Sequence, residues 1–280
     1  MTPRKNPVSR QIAFYGKGGI GKSMVAANLS AVLAGRGRSV LQVGCDPKAD
    51  SCKALLGGRK VANVLELLKT RSADSLAAKD FLHEGFAGVH CIEAGGPEPG
   101  IGCAGRGIIL AIDVMTKTGV YARGYDYVIY DVLGDVVCGG FAVPIREGYA
   151  DRVYLVVSGE FLSLYAANNI MKAIHRHAQR SATRLAGIVA NLTGAPRERP
   201  IVTAFAAAYG LEVLEFLPRD PAVQDSENHG MSVIERHPDS PIGKRLAALA
   251  RKIETRTTAI VPKPLDDSSL NALVLRAARS

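Results

Sequence analysis

The 280-residue sequence lacks the features that would place it in a membrane or outside the cell. No apolar run approaches the roughly 18 to 20 residues that a membrane-spanning helix needs. Residues 1–10 are polar and basic, without the apolar stretch of a secretory signal. These absences predict a cytoplasmic protein with no membrane partner, whose residues 1–10 form a flexible N-terminal arm.

The sequence also lacks a basic run and the interleaved aromatic residues on which nucleic-acid bases stack. Its net charge is nevertheless +9. The basic residues are dispersed, as at Arg176, Arg180 and Arg184, which is typical of a solvated surface rather than of a nucleic-acid groove. We therefore expect no nucleic-acid partner, and a surface that suits water or an acidic protein partner.

Cysteine is scarce, and the pattern of the five cysteines contains no C-x-x-C pair. An odd number without framework spacing, in a chain without a secretory signal, favours reduced thiols or metal ligands over disulfides. Cys45, Cys52 and Cys91 lie in or beside apolar runs, and we predict that they are core residues.

Cys103 and Cys138 differ from the other cysteines because glycines flank both. Flanking glycines let the backbone approach a bulky inorganic group and donate N–H bonds to its sulfurs. A cubane iron–sulfur cluster needs four thiolates, so a cluster here requires two chains related by a two-fold axis. Buried structural thiols remain the alternative on spacing alone.

What the sequence does contain is a phosphate-binding pattern, G-x-x-x-x-G-K-[ST], over residues 16–23. Its glycines let backbone N–H groups surround a pyrophosphate, while Lys22 reaches the β/γ-phosphates and Ser23 ligates Mg²⁺. A predicted strand over 12–15 precedes the pattern, and a predicted helix over 24–36 follows it. Because the motif requires this context, we predict a nucleotide site.

Strand-like and helix-like patterns alternate through the chain, which favours right-handed βαβ units. The predicted fold is a single-domain α/β P-loop NTPase, residues 11–256, with a mostly parallel sheet covered by helices on both faces. Residues 257–280 form a C-terminal tail without clear periodicity. The remaining predicted strands are 39–43, 89–93, 127–130, 153–157, 186–190 and 213–217. The remaining predicted helices are 61–68, 107–117, 161–179 and 242–253.

Polar residues follow several of these strands, at the sheet edge where ligands of such folds bind. Asp131 has the Walker-B placement for an acid that holds Mg²⁺ directly or through water. Asp135, four residues later, is placed to orient the attacking water. Asp46 and Asp220 also follow strands, and capping of the next helix remains the alternative role for each acid.

Five stretches resemble the iron protein (dinitrogenase reductase) of nitrogenase and its relatives. The resemblance runs from about Gln11 to about Ile253. It implies a homodimer with one [4Fe–4S] cluster at its interface and MgATP in each subunit. ATP hydrolysis would gate one-electron transfer from a low-potential ferredoxin or flavodoxin to a larger catalytic component. The stretches are residues 15–23, 43–51, 93–107, 130–141 and 165–170.

The resemblance assigns roles to single residues. Catalytic roles fall to Lys17, which would reach the nucleotide of the facing subunit, and to Asp46 and Asp135. Cys103 and Cys138 are implied as cluster ligands shared between subunits. The implied nucleotide-contacting residues are Gly16, Lys17, Gly18, Gly19, Ile20, Gly21, Lys22, Ser23, Met24, Lys48, Asp131 and, around the adenine, Asn191, Pro218, Asp220 and Gln224.

Arg106 matches an arginine near the cluster that helps to dock the partner and is ADP-ribosylated in some relatives. It is therefore a candidate modification site. Mass spectrometry after treatment with the transferase tests this hypothesis, and absence of labelling would reject it.

Three departures from the family bear on the partner. Met24 replaces the Thr that commonly follows the Mg²⁺-binding Ser, the chain is basic where nitrogenase iron proteins tend to be acidic, and the acidic C-terminal extension has no counterpart. These departures favour a nitrogenase-like reductase with a different partner, such as a methylthio-alkane reductase. Dinitrogenase and a tetrapyrrole (chlorophyllide-type) reductase remain open.

Two other classes use similar loops. A ParA/MinD-type positioning ATPase would share the Lys17 and Lys22 pattern but would leave Cys103 and Cys138 without a role. A carrier that assembles iron–sulfur clusters is the other alternative, and the missing C-x-x-C pair argues against it.

Overall fold

The computed structural model describes residues 9–96, 104–132 and 143–279; within 104–106 and at 143 and 146 it describes the backbone only. The described residues form one eight-stranded sheet, with the order β3-β4-β2-β5-β1-β6-β7-β8. All neighbours pair in parallel except β3, which lies antiparallel to β4 at the edge. The strands are β1 (Arg10–Tyr15), β2 (Val40–Cys45), β3 (His83–Glu84), β4 (His90–Glu93), β5 (Tyr127–Val132), β6 (Arg152–Val157), β7 (Arg184–Asn191) and β8 (Val213–Leu217).

Helices cover both faces of the sheet, which confirms the predicted fold class. One core contains Leu164 of α5 and Leu270 of α10, and the other contains Leu29 of α1 and Leu246 of α9. The helices are α1 (Lys22–Gly35), α2 (Val64–Thr70), α3 (Ala104–Lys117), α4 (Val143–Arg146), α5 (Phe161–His177), α6 (Glu198–Ala208), α7 (Pro221–Asn228), α8 (Val233–Arg236), α9 (Pro241–Thr255) and α10 (Asp267–Arg279).

The central strands are apolar on both sides, as a doubly covered parallel sheet requires. Every residue of β5 is buried. Along β5, Val128 and Tyr130 point into one core, whereas Tyr127 and Ile129 point into the other. Burying such strands on both faces fixes the register, because a one-residue slip would exchange the two cores.

The predicted core cysteines are confirmed: Cys45, Cys52 and Cys91 are buried free thiols.

The strand boundaries are less well predicted. Strand β5 continues past the predicted end at residue 130, so Asp131 lies within the strand. Strand β1 begins at Arg10, inside the predicted arm.

The largest difference is at the C-terminus, where the sequence analysis predicted no helix and the structure contains α10. Its apolar residues Leu270, Leu273, Val274 and Ala277 have the i, i+3, i+4, i+7 spacing of a helix face. They pack against the core that also holds α5 and α6. The prolines and acids before the helix obscured this spacing.

Among the described residues, no helix has both the length and the apolar character needed to cross a bilayer.

Asn168 on α5 holds the chain that leads into α10. It is fully buried, donates to the carbonyl of Leu265 at 2.8 Å, and accepts from the N–H of Leu265 and the hydroxyl of Tyr209. Asn168→Ala should therefore lower the free energy of unfolding by about 3 kcal/mol, measured by urea denaturation. The control is Asn169→Ala, a half-buried neighbour with no hydrogen-bond partner among the described residues. Equal effects of the two changes would contradict this role.

Candidate functional site

The phosphate loop, residues 16–23, connects β1 to α1 and depends on two glycines. Gly16 has a φ of 153°, and a Cβ there would overlap the carbonyl oxygen of Val156 on β6. Gly21 has a φ of 90°, and a Cβ there would lie 2.5 Å from Nδ2 of Asn191. These close approaches to neighbouring strands hold the loop over the edge of the sheet.

Lys22 begins α1 and is buried, although it carries a charge. Its Nζ donates to the carbonyl of Lys17 at 3.0 Å, so the ammonium group is held against the loop. The N–H groups at the start of a helix have no partner within the helix, and they add partial positive charge beside it. Together these groups form a site suited to phosphate oxygens.

Asp131 and Ser23 come into contact below the loop, as the sequence predicts for a Mg²⁺ site. The Asp131 carboxylate is 3% exposed and accepts a hydrogen bond from Ser51 Oγ at 2.6 Å, and Ser23 lines the same cavity as Asp131. Burial raises the pKa of Asp131, while the nearby side chains of Ser23 and Ser51 and the charge of Lys22 oppose the rise. Hydroxyl and carboxylate oxygens are ligands that Mg²⁺ accepts, so this donor set fits the ion.

A cavity of about 280 Å³ lies at this point, with basic, acidic and glycine residues in its wall. A second cavity of about 290 Å³ continues between α1, α7 and α8, and Met24 lies in the wall of both. Sequence analysis did not name two acids shared by both cavities, Asp50 and Glu227. Asp50 belongs to a stretch that the sequence analysis singled out, whereas no sequence pattern marks Glu227. The first cavity is lined by Gly18, Gly19, Gly21, Lys22, Ser23, Met24, Asp46, Lys48, Asp50, Asp131, Val132 and Glu227.

Asp46 follows β2 directly and caps no helix. Its Oδ1 accepts the N–H of Lys48 at 2.8 Å in a local turn, and Lys48 is exposed. The negative charge of Asp46 also raises the pKa of Asp131, which places the two acids near each other. Both predicted residues, Asp46 and Lys48, thus line the first cavity.

Lys17 is at the loop surface, where its Nζ lies 3.6 Å from Oε2 of Glu160. Both side chains are substantially exposed, at 34% and 50%. An exposed pair of this kind is weak, so Lys17 can exchange Glu160 for another anion at little cost. Glu160 was not identified from the sequence.

The predicted adenine residues lie at the end of β7, just after β8 and on α7. Asn191 donates from Nδ2 to the carbonyl of Ile20 at 2.8 Å and so supports the loop. Asp220 accepts the N–H of Ala222 and is the N-cap of α7, which is the alternative role that the sequence analysis left open. Pro218 follows β8 directly, and Gln224 is exposed on α7.

Three predicted site residues, Cys103, Asp135 and Cys138, lie outside the described residues, as does the side chain of Arg106. The structure does describe the strands that precede these segments. Both β4 and β5 end at the sheet edge that carries the phosphate loop.

Glu93, at the end of β4, is a buried acid that sequence analysis did not identify. It is 1% exposed, and its Oε1 accepts the N–H of Cys52 at 2.6 Å. Burial raises the pKa of Glu93 to about 7; the hydrogen bonds from Cys52 oppose the rise, and the nearby charges of Asp131 and Asp50 add to it. The strand pairing, which the sequence does not display, brings Glu93 and Asp131 together on either side of β2.

Comparison with known proteins gives close relatives over most of the chain. Residues 10–279 match the family described as 4Fe-4S iron sulfur cluster binding proteins, NifH/frxC family. The nitrogenase iron protein of Methanospirillum hungatei is 49% identical over 266 residues, 94% of each chain. Nitrogenase iron protein 2 of Paenibacillus durus is 47% identical, over 93% of this chain and 89% of the relative.

Solved structures with a similar fold are more distant in sequence. The septum site-determining protein MinD of Pyrococcus horikoshii, complexed with Mg-ADP, has a TM-score of 0.69 at 21% identity, over 88% of this chain and 96% of MinD. A ParA family ATPase of Chlorobium tepidum has a TM-score of 0.68 at 21% identity, over 88% and 99% of the two chains. At this identity the likeness shows the fold alone.

The raised pKa of Glu93 predicts a pH-dependent stability difference between wild type and Glu93→Gln. Native Glu93 binds its proton up to about pH 7, whereas the unfolded side chain loses it near its ordinary value of 4.5. The stabilisation from this proton is present below pH 4.5 and is lost as the pH rises through 7. Since Gln undergoes no such loss, the variant should gain on the order of 2 kcal/mol relative to wild type between pH 5 and pH 8.

Urea denaturation at several pH values in this range measures the difference. The control is Glu84→Gln, which removes an exposed carboxylate from the adjoining strand β3. A difference between Glu93→Gln and wild type that does not change with pH would contradict the prediction.

Proposed function

Because the chain belongs to the NifH/frxC family of 4Fe-4S iron sulfur cluster binding proteins, we propose that it is the electron-donor component of a nitrogenase-like two-component enzyme. Proteins of this family, this chain included, are ATP-hydrolysing iron–sulfur oxidoreductase components with a [4Fe–4S] cluster and MgATP as cofactors. The structural observation that carries the proposal is the contact of Ser23 with buried Asp131 beneath the phosphate loop.

In this proposal, residues 16–24 bind the phosphates of MgATP, and Lys22 neutralises the β/γ-phosphates. Bound MgATP supplies a phosphoanhydride bond whose hydrolysis can be coupled to a conformational change. Ser23 and Asp131 hold the Mg²⁺, a role supported by their contact and their oxygen donors. Asp46 and Asp135 act at the γ-phosphate, where Asp135 orients the attacking water.

The adenine lies beyond the loop in this proposal, near residues at the ends of β7 and β8. The contact of Asn191 with the phosphate loop supports this placement, because it brings the end of β7 next to the first turn of α1. Lys48 lies in the wall of the same cavity as the phosphate loop, and in this proposal it contacts the phosphates. The remaining adenine-side residues are Pro218, Asp220 and Gln224.

The cluster part of the proposal rests on Cys103 and Cys138 from each of two chains. Two such pairs supply the four thiolates of a [4Fe–4S] cluster, which stores and releases one electron at a time. Members of this family work as homodimers with a larger catalytic component. The weak Lys17–Glu160 pair supports a role in which Lys17 reaches the nucleotide of the facing subunit.

The alternative functions are less well supported. Similarity to MinD and ParA proteins is limited to the fold, whereas identity near one half links the chain to iron proteins. The full sequence contains no C-x-x-C pair, which argues against a carrier that assembles clusters.

The proposal also ranks three candidates for the catalytic partner. The chain has a net charge of +9, whereas nitrogenase iron proteins tend to be acidic, and for this reason we place methylthio-alkane reductase first. The names of the relatives favour dinitrogenase as the alternative, and a tetrapyrrole reductase is the third candidate. We propose a low-potential ferredoxin or flavodoxin as the electron source.

Iron analysis tests the cluster. Anaerobically purified wild type should contain about two irons and two acid-labile sulfides per chain, because two chains share four irons. Cys103→Ser should lose most of this iron. Cys45→Ala is the control, since it removes a buried core thiol and should retain the iron. Wild type that stays free of iron after anaerobic reconstitution would reject the proposed function.

Reconstitution with purified catalytic components tests the partner. We expect ATP-dependent electron transfer to methylthio-alkane reductase to exceed transfer to dinitrogenase or to a tetrapyrrole reductase by at least tenfold. If docking depends on charge, this rate should also fall as salt is raised through roughly 0.1 to 0.5 M. A higher rate with dinitrogenase would reject the assignment of the partner but not the donor role.

A further inference from the structure

Three neighbouring strands place two buried acids on either side of a glycine. Gly44 of β2 pairs in register with Glu93 of β4 on one side and with Asp131 of β5 on the other. Side chains paired in this way point to the same face of the sheet. A Cβ at position 44 would overlap Oε2 of Glu93, so the glycine leaves the space that the Glu93 carboxylate occupies.

Residues 46–52 leave β2 next to this row and contact the acids on both sides. Ser51 Oγ donates to Asp131 at 2.6 Å, and the N–H of the next residue, Cys52, donates to Glu93 Oε1 at 2.6 Å. Adjacent residues of one segment thus hold the Mg²⁺-site acid and Glu93. A displacement of this segment changes both contacts together.

A second contact joins the same segment to the chain beyond Glu93. A Cβ at Gly96 would overlap the ring of Pro47, so these two residues pack closely. In addition, the N–H of Ala94, the residue after Glu93, donates to the carbonyl of Gly44 at 2.8 Å. Residues 93–96 are therefore in contact with both ends of the segment that lines the phosphate site.

Glu93 depends strongly on its contact with Cys52. The carboxylate is buried, and its second oxygen, Oε2, has no hydrogen-bond partner among the described residues. If Cys52 moved away, both oxygens of a buried carboxylate would lack a partner, which is costly. Glu93 must therefore follow Cys52 when residues 46–52 shift.

We propose that Glu93 is a positioning residue that transmits the state of the phosphate site to residues 93–96, from which the chain continues to Cys103. The route runs from Asp131 through Ser51 and Cys52 to Glu93. The effect of this route on the cluster rests on the proposed function. The contacts along the route involve only described residues of one chain. It is separate from the covalent path along which β5 leads from Asp131 to Cys138.

Hydrogen–deuterium exchange of residues 93–96, with and without MgADP or a non-hydrolysable MgATP analogue, tests the link in the full-length protein. In wild type, nucleotide should change the exchange rate at least fivefold. Glu93→Met keeps the side-chain volume but removes the acceptor, so the response should fall below twofold. Glu93→Gln retains an acceptor for the Cys52 N–H and should restore most of the response, which a purely structural role does not explain.

Ser30→Ala is the matched control. Ser30 donates to Gln42 at 2.7 Å in the same buried polar cluster but contacts neither acid, so its loss should leave the response intact. Nucleotide affinity, measured by calorimetry, should stay within threefold of wild type in Glu93→Met. A wild-type response in that variant, or no response in wild type, would overturn the proposal.

Ser51→Ala tests the same route if Glu93→Met does not fold. It removes the hydroxyl bond to Asp131 and should also lower the response of residues 93–96, so an unchanged response would overturn the proposal. Iron-free wild type that still shows the exchange response would reject the proposed function while supporting the link. The two failures are therefore distinguishable.

Discussion

Burial of the Asp131 carboxylate is the constraint on which the rest of the site depends. A carboxylate that is 3% exposed needs hydrogen bonds or opposite charge, and here it obtains both from two segments of the chain. Ser23 supplies a hydroxyl from α1, Ser51 supplies another from the segment after β2, and Lys22 supplies positive charge. The need to stabilise one buried acid therefore brings together the phosphate loop, the start of α1 and residues 46–52. A Mg²⁺ ion at this position would compete for the same oxygens, so its arrival would alter all three elements.

The parallel sheet explains how the contacts of Asp131 connect with several other segments of the chain. Parallel strands end at a common edge, so β1, β2, β4 and β5 bring their following segments to one side of the molecule. Glycines then decide how closely these segments approach each other. The absence of a Cβ leaves space for the carbonyl of Val156 at Gly16, for the Glu93 carboxylate at Gly44, and for the ring of Pro47 at Gly96. Close packing of this kind transmits a displacement instead of absorbing it.

Features that are local in sequence could be predicted, and features that depend on strand register could not. The phosphate loop, the burial of Cys45 and seven of the eight strands in the described residues follow from motif and periodicity, whereas β3 and the helices α4, α6, α7 and α8 were not predicted. Asp131 was identified because it follows an apolar strand. Glu93 and Ser51 were not identified as site residues, since only the pairing of β4, β2 and β5 shows that they meet. Asp220 illustrates a different limit: the sequence does not show whether an acid after a strand caps the next helix, and the structure shows that Asp220 caps α7. Helix α10 has the usual helical spacing, which the preceding prolines and acids obscured.

The two glycine-flanked cysteines lie on different segments of the chain, and this affects how nucleotide could act on a shared cluster. Cys138 follows Asp131 on the same segment, so a shift of Asp131 reaches it through the backbone. Cys103 follows β4, a different strand, and the backbone offers no short path to it from the phosphate site. In the proposed function both thiolates hold one cluster, and a response of the first segment alone would move them relative to each other. The contacts of residues 46–52 with both Asp131 and Glu93 provide the second path, so that both segments can respond to the same event at the phosphate site.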